Sequence, residues 1–93
     1  MSKLQHCIYV LLSQKDQKFY IGYSSNFKQR LTDHFNGNAQ ATAPRRSFSL
    51  VFCEYFLSKS DALRREKYLK TTVGKKGLRL IIRESLTELS SQK

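Results

Sequence analysis

Residues 7–35 read CIYVLLSQKDQKFYIGYSSNFKQRLTDHF, two apolar runs followed by one helical stripe, and their order decides the fold. The runs 7–12 and 19–23 are rich in Ile, Val, Tyr and Phe, which suit a pleated, half-buried surface. The polar segment 13–18 between them is of ordinary loop length, so the runs predict a β-hairpin. Ser24-Ser25-Asn26 then supplies N-cap chemistry, and Phe27, Leu31 and Phe35 recur at every fourth position. This spacing predicts a helix that stops near Asn36-Gly37 and lays its Phe-Leu-Phe edge on the sheet.

Working outward, residues 38–46 turn to Ala, Thr, Gln and Pro with Arg45 and Arg46 and show no period, which reads as a basic loop able to grip phosphates. Residues 48–56 are apolar and aromatic again, a third strand, and Ser58 and Ser60 announce a second helix over about 61–70. Gly74-Lys75-Lys76-Gly77 breaks the pattern, placing Lys75 and Lys76 in a second basic loop. Leu78, Leu80, Ile81 and Ile82 predict a third short helix. The class is α+β in the order β-β-α-β-α-α, with one domain over 1–85 and a polar tail over 86–93.

The 93 residues suffice for one compact domain and hence one site. Seventeen Lys and Arg against seven Asp and Glu give a net charge of +10, so the expected partner is a polyanion. No long apolar run or strongly amphipathic basic helix is visible, which argues against a membrane and for nucleic acid. The first six residues lack a signal-peptide h-region, and the expected location is the cytoplasm. Cys7 and Cys53 lie in apolar segments without metal-ligand spacing and read as buried small hydrophobes.

One position resists this bland reading. Drawn at helical spacing, Glu66 falls inside the stripe of Ala62, Leu63 and Leu69, while Arg64, Arg65 and Lys67 point away. Glu66 either pairs with Lys70 at i,i+4 or is held to bind a hard divalent ion that also touches a phosphate. On the first helix Arg30 and His34 are one turn apart beside the apolar stripe; Arg30 taken alone pairs with Asp33. Tyr9 and Tyr20 sit in the two hairpin strands and taken singly read as half-buried strand formers.

Together, Cys7-Ile8-Tyr9, Tyr20-Ile21-Gly22, Asn26-Phe27-Lys28-Gln29-Arg30 with His34, and the late helical Glu66 resemble the ordered motifs of GIY-YIG nucleases. The resemblance runs from about residue 7 to residue 82. It is greatest to the small stand-alone bacterial type and extends to the N-terminal nuclease domain of the excision-repair nuclease subunit. It implies a three-stranded antiparallel sheet carrying both tyrosines, flanked by about three helices that bring Arg30 and Glu66 to one face. It further implies a DNA endonuclease of repair, recombination or mobile-element processing. Glu66 would hold one Mg²⁺ or Mn²⁺, Arg30 would clamp the scissile phosphate, and Tyr9 or Tyr20 would be the general base. His34 would orient a tyrosine or the water, or remain a surface histidine.

A free phenol has a pKa of about 10, so a base role needs cationic surroundings. Gly22 would admit a close approach, and Asn26 would cap the Arg30 helix. Tyr23, Asn26, Lys28, Arg45, Arg46, Lys70, Lys75 and Lys76 are the expected DNA contacts. Two departures stand out: Cys7 where the family has Gly, and Tyr23 where some members carry a basic residue. Two other readings compete with the nuclease: a binding module without cleavage, and a subunit needing a protein partner that directs it to substrate. A monomer is expected.

Overall fold

The computed structural model describes residues 3–35 and 48–91, with the side chains of His34 and Phe35 outside that description. The elements are β1 (His6–Ser13), β2 (Phe19–Ser24), α1 (Phe27–Phe35), β3 (Phe48–Phe56), α2 (Lys59–Leu69), α3 (Thr72–Ile81) and α4 (Arg83–Ser91). The strands form one antiparallel sheet in the order β2-β1-β3. The expected α+β class and three-stranded sheet are both present, with four helices in place of about three.

β1 lies in the middle because its sequence has nothing polar to offer water between Cys7 and Leu12. Cys7, Tyr9 and Leu11 face one side of the sheet, where Phe48, Tyr20 and the α1 residues Phe27 and Leu31 pack on them. Ile8 and Val10 face the other, joined by Ile21, Ala62, Leu69, Leu78 and Ile82. Fully burying each large aliphatic side chain is worth about 1.5–3 kcal/mol. In β3 the register shifts so that Val10 pairs with Phe52 and Leu11 with Leu50. The extra residue, Val51, lets both Val51 and Phe52 pack toward the α2 side.

Three expectations change. Gly74-Lys75-Lys76-Gly77 does not break the chain into a loop but lies inside α3. The Thr71 hydroxyl caps that helix by accepting from the Gly74 amide at 3.0 Å and donates to the Tyr68 carbonyl at 2.6 Å. Gly74 is the point where α3 crosses the end of α2, since a Cβ there would lie 2.1 Å from the Tyr68 carbonyl oxygen. Residues 86–91, read as polar tail, continue as α4, because Leu86 and Leu89 follow Ile82 at helical spacing and are half-buried. Finally, Cys7 is buried as expected, but Cys53 is exposed.

The two α3 glycines therefore differ. Gly74→Ala is expected to cost about 1–3 kcal/mol by forcing α2 and α3 apart. Gly77→Ala, with open space around its Cβ, is expected to gain up to about 1 kcal/mol of helix propensity. Urea denaturation of both variants checks the contrast.

Candidate functional site

The site is built around Tyr9. It pairs across the hairpin with Gly22, and its ring lies over that residue: a Cβ on Gly22 would stand 2.5 Å from the Tyr9 hydroxyl oxygen. Glycine is thus what allows the phenol to reach across β2. The Phe27 ring leans on the buried Tyr9 with ring centres 5.3 Å apart, which locks α1 to the sheet at its first turn. Asn26 sets that turn, its side chain accepting from the Gln29 amide at 3.4 Å while Ser24 Oγ accepts from the Asn26 amide at 2.9 Å. The cap read from the sequence is present.

Four further side chains act on the Tyr9 hydroxyl. Burial is the main force and pushes its pKa up to about 12; the Arg30 guanidinium pulls it down, while Tyr20, Glu66 and Cys7 push it further up. The electrostatics of β1, β2, α1 and α2 are thus all felt at one phenol. Tyr20 is half-buried on the same sheet face, edge-on to Phe48 at 6.5 Å.

Arg30 is exposed and borders a depression of about 250 Å³ lined also by Tyr23, Ser24, Ser25, Asn26, Gln29 and Asp33. Its expected partner Asp33 instead accepts from Gln29 Nε2 at 3.0 Å. Among the described residues, no carboxylate is within ion-pair distance of Arg30. Glu66 points inward, its side chain only 20% exposed, and pairs with Lys70 Nζ at 3.3 Å. The pairing with Lys70 read from the sequence is present, and the same carboxylate helps to raise the Tyr9 pKa.

Of the expected DNA contacts, Tyr23 and Asn26 share the Arg30 depression. Lys28 is exposed but lies about 200° round α1 from Arg30, and Lys75 and Lys76 are exposed on α3 rather than in a loop. Arg45, Arg46 and the His34 side chain lie outside the described residues. Two residues not singled out from the sequence gather on Tyr23. His6 Nδ1 shares a 2.8 Å hydrogen bond with its hydroxyl, and Lys59 Nζ stands 6.0 Å from its ring centre. The signal for Lys59 is its seven-residue spacing from Glu66, which puts both on one stripe of α2.

A three-stranded antiparallel sheet with two hairpin tyrosines on one face, followed by an Arg on the first helix and an inward Glu on the second, has the arrangement of a GIY-YIG catalytic domain, and the family model of that description matches residues 5–79. The chain is 41% identical over 78 residues to a UPF0213 protein of Staphylococcus saprophyticus, covering 83% of this chain and 94% of that one. A UPF0213 protein of Clostridium perfringens is 34% identical, with 89% and 90% covered. The solution NMR structure of a UPF0213 protein from Bacillus halodurans superposes with a TM-score of 0.54 at 33% identity, covering 82% and 83%. The chain belongs to the UPF0213 family of small GIY-YIG domain proteins.

Because its folded-state value lies above the ordinary phenol value of about 10, Tyr9 contributes stability that is complete below that pH. The contribution is lost as pH rises through its folded value of about 12. A phenolate absorbance titration should therefore show a late-titrating tyrosine that disappears in Tyr9→Phe. An unchanged curve would contradict the burial of this hydroxyl.

Proposed function

We propose that this protein is a divalent-metal-dependent nuclease that hydrolyses DNA phosphodiesters at the Tyr9–Arg30–Glu66 site. The single observation behind the reading is the packing of the Tyr9 phenol over Gly22 with Tyr20 on the same sheet face, where the charges of Arg30 and Glu66 are felt at the Tyr9 hydroxyl. A family whose domain is described as catalytic supports it, as does a net charge suited to a polyanion.

The donor set fits a hard ion. Glu66 is a half-shielded oxygen ligand, and among the described residues no group of three or more His, Cys, Asp or Glu competes as a closed metal cage. One carboxylate with water and substrate oxygens is a normal Mg²⁺ or Mn²⁺ arrangement. The Lys70 pair is worth only about 0.2–0.5 kcal/mol, so it holds the carboxylate in place without blocking it. When bound, the ion supplies a Lewis acid to the phosphate and acidifies attacking water.

The rest is done by side chains. Arg30 presents its fork of N–H donors to two phosphate oxygens and stabilises the charge that builds on them in the transition state. A tyrosine in its phenolate form accepts the proton of the attacking water as the water oxygen bonds to phosphorus, while the bond to the leaving sugar oxygen breaks and that oxygen takes a proton from solvent. Tyr9, 2% exposed and with its pKa pushed up to about 12, is poorly placed to do so without added positive charge. Tyr20 is the other phenol on that face, and Phe substitutions at the two positions assign the role. Gly22 keeps Tyr9 in place, and Gly22→Ala should displace the hydroxyl and lower cleavage far more than stability.

The Glu66–Lys70 pair favours one other reading, a DNA-binding module in which the carboxylate is simply neutralised. A cleavage assay on supercoiled, linear, branched and single-stranded DNA separates the two. With Mg²⁺ or Mn²⁺ the wild type should cut, EDTA should stop it, and Glu66→Ala should reduce it to background. Arg30→Ala should lose about 10²–10³-fold, the cost of removing a transition-state donor. Binding without metal-dependent cutting on any DNA form would establish the module instead.

A further inference from the structure

Beyond the Arg30 depression, the surface continues to a cluster that no catalytic role has absorbed. Tyr23 closes one end of the depression, and on its far side it is held by His6 and covered by Lys59. The His6 and Tyr23 rings are nearly parallel, 13° apart in plane with centres separated by 6.0 Å, and the 2.8 Å hydrogen bond ties their polar edges. Tyr23 is therefore fixed from two sides, by a strand neighbour's ring and by the packing of its own ring on the apolar core. Such a platform is rigid, and it holds a tyrosine hydroxyl and a histidine beside an ammonium.

Lys59 itself is exposed and carries no salt bridge among the described residues, so its charge is uncommitted apart from the contact with the Tyr23 ring. It lies seven residues before Glu66, two turns along the same stripe of α2. The separation along the helix is about 10 Å, at ~1.5 Å per residue. The ~3.4 Å advance per phosphate of one strand is measured along the duplex axis and is less than the through-space gap between neighbouring phosphates, so Lys59 lies within about three nucleotides of whatever phosphate Glu66 addresses.

We propose that His6, Tyr23 and Lys59 form a second phosphate subsite, which takes the backbone of the same DNA strand within about three nucleotides of the reacting phosphate. Lys59 supplies the charge, the Tyr23 hydroxyl donates its one proton to a phosphate oxygen, and His6 is a positioning residue whose Nδ1–H donates to that hydroxyl and so aims it. The basic residue absent from position 23 is thus replaced by one reaching in from α2. This assignment rests on the reading of the chain as acting on DNA, but it concerns binding and is tested without metal, so the two can fail separately.

The test is fluorescence anisotropy with a labelled 20-mer, single- and double-stranded, in EDTA over a range of salt. Lys59→Ala should weaken binding several-fold and reduce the magnitude of the log–log salt slope by about one, as for one lost phosphate contact. Lys59→Arg should restore both. Tyr23→Phe should weaken binding by less while keeping the salt slope. Lys67→Ala removes one exposed charge from the α2 surface pointing away from the core and serves as the reference. The subsite is overturned if Lys59→Ala matches Lys67→Ala, if Lys59→Arg fails to restore binding while melting normally, or if the wild type does not bind. Intact subsite binding with no cleavage in Mg²⁺ or Mn²⁺ would instead remove the nuclease reading and leave the subsite standing.

Discussion

The coverage of β1 on both faces is the constraint from which the site follows. A strand with Cys7, Ile8, Val10 and Leu11 wholly buried cannot lie at an edge or on a half-open sheet. Pairing with β2 and β3 satisfies its backbone groups, and a helix must cover each side. α1 covers the face of Tyr9, through Phe27 and Leu31, while α2 and α3 cover the face of Ile8 and Val10. Arg30 and Glu66 thus come from helices on opposite sides of the sheet. The Tyr9 ring crosses Gly22 toward β2, the edge strand, where its hydroxyl feels the charges of both. A larger residue at position 22 would turn the phenol away and leave two unrelated charged helices.

Much of this was legible because the decisive signals are local. The hairpin runs, the Asn26 cap and the inward position of Glu66 on α2 depend on spacing within one element, and each reappears in the structure. What escaped depends on contacts between elements. Gly74 looks like a helix breaker by propensity, yet the close crossing of α2 and α3 requires it, and the Thr71 cap overrides the local penalty. α4 escaped because its apolar positions, Leu86 and Leu89, are few and gain meaning only as continuations of Ile82 across a break at the end of α3. The absence of any polar residue in 7–12 did signal a doubly covered strand. Read only as a hairpin arm, that run left the central place of β1 unstated.

The charges divide by partner in a way that explains why a +10 chain can keep a specific site. Arg65 is committed to Glu54 across the β3–α2 interface, with its Nε 2.8 Å from the carboxylate, and Arg64 to Asp61 at 3.2 Å. Arg79 lies over Phe19 at 4.4 Å and covers the edge of the core. These arginines hold helices to the sheet or stay within their own helix. Arg30 and Lys59, in contrast, have no such carboxylate partner among the described residues and both stand near Tyr23. Surface ion pairs contribute at most about 1 kcal/mol each to stability, so the use of charge is better sought where a cation is left unpaired.

Cys7 shows how the first motif tolerates a departure. A glycine there is not needed for a turn or a positive φ, since the position lies inside a regular strand opposite Ser24 and Tyr55. What a side chain must do at position 7 is fill the space beneath α1 next to Tyr9 without adding a charge. A buried thiol does this: burial, and then the neighbouring Cys53, push its pKa up to about 11, so at neutral pH it remains a thiol and packs as a small hydrophobe. A thiolate beside Tyr9 would push the phenol further up, against what a proton-accepting role needs. Burial that keeps Cys7 neutral therefore protects the electrostatics of Tyr9, and the substitution leaves the geometry over Gly22 in place.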